Sequence, residues 1–190
     1  KNLGFMASSF TETINGVKTT GVNINTSQGL PQWSYGIIVS YGEFTILNAD
    51  VENFGACGVT SDRNKKFHGG NIKITNNSNL FASNNPTGAM WFEETEDAYI
   101  DNLYIDVSDR NSRDLLNDSS LLEIFNGNTI VNNIKLISSK NNIFKKAIRG
   151  AFSAKSSFKI TGQCEIIGVF SEKGIELASM IQNTDFNFEL

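Results

Sequence analysis

The chain has 190 residues, enough for one sizeable hydrophobic core, and no shift in composition divides it into two domains. It carries 24 Asn and 16 Gly against two Pro, with 14 Phe, a composition suited to short strands and tight polar turns rather than to long helices. The net charge of −4 comes with scattered Lys and Arg, and no apolar run approaches the 18 or so residues that span a bilayer, so neither nucleic-acid binding nor membrane insertion is expected.

In chain order, a short pattern returns, in which a polar residue precedes an apolar, any, apolar triplet. It reads GVNI around Gly21, NADV from Asn48, NIKI from Asn71, NLYI from Asn102, NIKL from Asn133, QCEI from Gln163 and DFNF from Asp185. The spacings of 27, 23, 31, 31, 30 and 22 residues are close to one turn of a stacked architecture. A second apolar segment precedes most anchors: YGIIVSYGEF before Asn48, GAMWFEE before Asn102, SLLEIF before Asn133, AIRGAFSAKSSF before Gln163 and GIELASMI before Asp185. Alternation within the anchors sends every second side chain inward. The inward set is then Val22/Ile24, Ile72/Ile74, Leu103/Ile105, Ile134/Leu136, Cys164/Ile166 and Phe186/Phe188.

This pattern predicts an all-β fold, a single-stranded right-handed parallel β-helix of about six to seven coils forming one domain over residues 1–190. The repeating Asn residues belong at its corners, where Asn tolerates left-handed backbone and its amide can bond the Asn of the next coil. A doubly wound α/β fold lacks its helices, since the stretch from Asn142 to Ala154 is interrupted by Gly150 and β-branched residues. Neither a leucine-rich repeat nor the hairpin spacing of a β-sandwich is present. Cys57 and Cys164 lie far apart without a CxxC pattern or a nearby His, which makes them buried free thiols and implies no metal or other cofactor. The start at Lys1 and the strand-like end DFNFEL suggest a piece of a longer protein.

The segments FTILNADVENF, AYIDNLYIDVS, NTIVNNIKLIS and FKITGQCEIIG resemble coils of pectate-lyase-like right-handed β-helices, most of all those of bacteriophage tailspikes and tail-fibre depolymerases. The resemblance covers roughly residues 14–190. It implies an extracellular or virion-tail location, homotrimers, and bacterial surface polysaccharide as the partner. It transfers no catalytic motif, because the shared positions are those of core and corner.

Chemistry is sought first between Met90 and Glu123, which holds ten of the twenty acidic residues. Glycoside hydrolysis needs two carboxylates, one to protonate the leaving oxygen and one to attack or to activate water. Aligning GAMWFEE with SLLEIFN places Met90 and Phe92 over Leu122 and Ile124 in the core, Trp91 over Glu123, and Glu93 over Phe125. Glu93, Glu123 and Asp97 are therefore the candidate catalytic carboxylates, with Trp91 as a flat platform for a sugar ring and Trp33 and Tyr35 as loop aromatics that can reach a glycan. His68, the one histidine, is expected on a turn without a role, and the Lys140, Lys145, Lys146 and Arg149 group on a solvated face. The functional expectation is polysaccharide binding, with hydrolysis favoured over elimination. The alternative is a non-catalytic adhesin or spacer.

Overall fold

The computed structural model describes residues 3–8, 11–20, 35–52, 57–75, 88–108, 120–138, 144–152, 155–168, 170–179 and 186–189. These residues form strands and no helix. The strands are β1 (Leu3–Ser8), β2 (Thr11–Thr20), β3 (Tyr35–Ser40), β4 (Glu43–Glu52), β5 (Cys57–Asp62), β6 (Lys66–Thr75), β7 (Gly88–Glu93) and β8 (Asp97–Asp106). They continue as β9 (Ser120–Phe125), β10 (Asn128–Ile137), β11 (Phe144–Phe152), β12 (Ser156–Ile160), β13 (Cys164–Ile167), β14 (Phe170–Ser179) and β15 (Phe186–Glu189).

Every pairing is parallel and joins one coil to the next, as in a parallel β-helix. The shorter strands stack in the order β1-β3-β5-β7-β9-β11-β14, and the longer ones as β15-β12-β10-β8-β6-β4-β2, with β13 also on β10. About four turns, β3–β4 through β9–β10, make up the regular part of the solenoid, against the six to seven coils expected from the spacing of the anchors, and the remaining strands continue the two stacks at either end. The segment around Asn142 is the strand β11 where it is described, not a helix.

The ten-residue strands are bent. In β8, Ala98 and Ile100 are buried, Asp101 and Asn102 both turn away from the core, and Leu103 and Ile105 are buried again. Two consecutive outward residues shift the alternation by one, so the strand turns a corner and both of its halves still feed the interior. The same corner is Leu47-Asn48 in β4, Gly70-Asn71 in β6 and Asn132-Asn133 in β10. At Gly70 the coils approach so closely that a Cβ atom would lie 2.3 Å from the Leu47 carbonyl oxygen. Each coil thus has three sides, of which the anchor strand read from sequence is one.

The corner Asn residues form the expected ladder. Asn48 donates its amide to Asn15, Asn71 to Asn48, Asn102 to Asn71 and Asn133 to Asn102, each at 2.9 Å. The Gln163 backbone N–H closes it on the Asn133 Oδ1 at 3.0 Å. The first rung is Asn15, not the Gly21 segment, and residues 21–34, with Val22 and Ile24, lie outside the described residues.

Inside, register stacks like on like: Val51, Ile74, Ile105 and Leu136 form one fully buried column. In another column two small residues, Ala98 and Thr129, sit between Phe67 and Phe158. The Phe67 ring meets Phe92 edge-on at 5.5 Å, tying the long-strand wall to the short-strand wall. One predicted core residue is misplaced. Cys164 is exposed, because β13 pairs with β10 alone and the inward column runs out at that coil, whereas Cys57 is buried as expected.

Candidate functional site

In the four coils from β3–β4 to β9–β10, the tight turn between the short strand and the long strand holds a residue with left-handed backbone: Tyr41, Arg63, Glu94 and Asn126, with φ between 49° and 63°. A non-glycine residue adopts this conformation only where its surroundings impose it. Here the turns hydrogen-bond to one another. The backbone N–H of Arg63 donates to the Glu93 carbonyl at 2.6 Å, and that of Glu94 to the Phe125 carbonyl at 2.7 Å. Beneath them the buried Asn64 amide donates to the Val39 carbonyl and to Ser61 Oγ, both at 2.8 Å, and Ser61 Oγ lies 2.8 Å from Thr95 Oγ1. The turns therefore form a rigid edge that fixes the side chains on either side of it.

On the short-strand side of this edge, Glu93 stands in register with Asp62 on the preceding coil and with Phe125 on the next. The Arg63 guanidinium bridges the carboxylates, 3.4 Å from Asp62 and 3.8 Å from Glu93, and also reaches Glu94 at 3.2 Å and the Tyr41 hydroxyl at 2.9 Å. Desolvation raises the pKa of both Asp62 and Glu93. The Asp62 charge raises Glu93 further, against the pull of Arg63.

Trp91 lies over Glu123, and Met90 and Phe92 over Leu122 and Ile124, in the register the sequence alignment proposed. Trp91 is half-buried, its ring 6.0 Å from Phe125, and its Nε1 finds no hydrogen-bond partner among the described residues. Glu123 occupies a different environment from the one expected: it is 0% exposed, with Arg149 3.3 Å away. Lys146, expected on a solvated face, is 2% exposed and ion-paired to Glu176 at 2.8 Å. Tyr35 is no loop residue but the first of β3, half-buried, with its hydroxyl pKa raised chiefly by burial. Trp33 lies outside the described residues. Trp91 and Glu93 are thus brought to one edge, with Asp62 as a neighbour the sequence did not point out. CGVTSD has little apolar character and gives no strand signal in the sequence.

Asp97 sits across the turn, at the start of β8 on the long-strand face. There it helps line a lateral groove of about 370 Å³ running along the coils, with Glu43, Thr45, Lys66, His68, Tyr99, Asn128 and Ile130. Two outward rows build it. Thr45, His68, Tyr99 and Ile130 stack in register, as do Glu43, Lys66, Asp97 and Asn128. His68 is on a strand rather than a turn. Its Nε2 lies 3.1 Å from Asp101 Oδ2, and its ring lies 5.4 Å from that of Tyr99, which is 39% exposed. In the second row Ser157 Oγ donates to Asn128 Oδ1 at 2.9 Å and Asn128 Nδ2 to Asp97 Oδ1 at 3.1 Å. The described residues contain no group of three or more His, Cys, Asp or Glu able to hold a metal ion.

No family model matches the chain, and neither a curated protein nor a solved structure matches it. What the structure shares with pectate-lyase-like and tailspike proteins is the parallel β-helix.

Proposed function

We propose that this β-helix binds an extended bacterial surface polysaccharide along its lateral groove. The observation that carries the reading is the groove itself, an open channel along the coil stack with the exposed Tyr99 ring in its floor and a row of hydrogen-bonding groups beside it. A sugar ring offers apolar C–H faces to an aromatic ring and hydroxyls to polar side chains, and the groove supplies both. Coils repeat at about 4.8 Å, close to the length one pyranose unit adds to an extended chain, so successive sugars meet successive coils. The resemblance of the repeats to tailspikes supports an extracellular or virion-tail setting and a homotrimeric assembly.

A hydrolytic activity at the adjoining edge is favoured by one further observation, the register of Asp62 and Glu93. Carboxylates on adjacent coils, bridged by one guanidinium, lie within the roughly 5–9 Å range that glycosidases use. Desolvation raises both carboxyls, and the Asp62 charge raises Glu93 further, which makes Glu93 the member suited to carry a proton to the leaving oxygen. Incubation with a panel of capsules and O-antigens, read by new reducing ends and by unsaturated uronate absorbance, tests both readings. Reducing ends without that absorbance, abolished in Glu93→Gln and Asp62→Asn, would establish hydrolysis. Binding without cleavage, weakened by Tyr99→Ala, leaves a non-catalytic adhesin.

A further inference from the structure

We infer that Glu43 and Asp97 make the groove selective for uncharged glycans and turn polyuronates away. The inference rests on the reading of the groove as a glycan site and adds the class of sugar that it takes.

Among the described residues lining the groove, Lys66 is the lysine whose ammonium is available to a ligand. It makes no ion pair among them, and it is exposed. Its register neighbours are both carboxylates, Glu43 on the preceding coil and Asp97 on the next. At a coil spacing of about 4.8 Å these two carboxylate residues flank Lys66 on both sides of the stack, well inside the screening length of about 8 Å at physiological salt. Lys65, just outside, lies 3.5 Å from Glu43. His68, the other basic group, faces Asp101 at 3.1 Å. Each basic side chain at the groove thus has a carboxylate neighbour: Glu43 and Asp97 for Lys66, Glu43 for Lys65 and Asp101 for His68.

A uronate laid over Lys66 would come within one coil of two like charges. A neutral pyranose meets a complementary row instead. Glu43 accepts, Lys66 donates, and the second oxygen of Asp97 accepts, its first being held by Asn128. Adjacent sugar hydroxyls both donate and accept, so they match such a row without bringing a net charge.

The test is a binding comparison on the intact chain, using matched-length panels of neutral oligosaccharides and of uronate-containing ones such as oligogalacturonate. Binding confined to neutral probes is expected, with a preference of roughly tenfold or more over uronates, the consequence of like-charge juxtaposition. In Glu43→Gln/Asp97→Asn, with folding checked by thermal melting, the ratio should move toward uronates by a similar factor. Equal binding of both classes by the native chain overturns the charge selection alone, as does an unchanged ratio in the double variant. Failure to bind any probe of either panel overturns the glycan reading with it.

Discussion

Gly127 shows how sharply single positions are constrained at the turns. Its φ is +83°, and a Cβ atom there would fall 1.7 Å from the Thr95 carbonyl oxygen on the coil below. Gly16 has a similar φ of +79° with nothing within 4 Å. Gly16→Ala should therefore cost only the backbone term, about 1–2 kcal/mol, whereas Gly127→Ala must also push two coils apart and should cost clearly more in a urea melt. The acidic edge makes a prediction of a different kind. A carboxyl whose folded pKa is raised favours the protonated native state, so the stability it contributes is present at low pH and is lost as pH rises through the folded pKa. Since the Asp62 charge raises Glu93, Asp62→Asn should lower the Glu93 midpoint in an NMR titration and move that loss of stability to lower pH. An unmoved midpoint would show that the two carboxylates do not interact. The thiols also differ. Burial pushes the Cys57 pKa up to about 12 and Cys164 is exposed, so a thiol reagent should titrate one group in the native chain and both after unfolding.

The strands show where a sequence pattern is informative. Outward-facing Asn residues at the bends were recognised because each must satisfy its amide once per coil, and a ladder through the neighbouring amide does so at every turn. Asn102→Ala removes a donor to Asn71 and an acceptor for Asn133, and should cost about 1 kcal/mol, reduced from two full hydrogen bonds because the ladder is exposed. The short-strand wall carries a contrasting device in the buried Glu123 beside Arg149. Removing the cation while the acid stays buried is the costly change, so Arg149→Met should destabilise by about 3–5 kcal/mol, and Glu123→Gln by less. Equal losses in chemical denaturation would argue that Glu123 is not held as a carboxylate. The strand β5 is not legible in the sequence because its inward residues are Cys57, Val59 and Ser61, too polar a set to register as an apolar segment.

At the scale of the molecule, parallel stacking turns a repeat along the chain into continuous columns, and this explains both the success and the limits of the sequence reading. Inward alternation and corner Asn residues are required in every coil, because a single repeat cannot bury its own core, so fold class, the register of Trp91 over Glu123 and the inward residues of the anchors from Ile72 to Leu136 are determined by sequence alone. Environment is not. Whether an outward residue such as Glu123 meets solvent or a half-buried guanidinium, and whether Glu93 has Asp62 for a neighbour, depends on which coils are adjacent and on where each long strand bends. The groove is also a tertiary feature. Lys66, His68, Asp97 and Tyr99 come together because two residues at each corner face away from the core and set the two halves of the long strand at an angle, and only stacking brings residues about 30 positions apart to within one strand spacing.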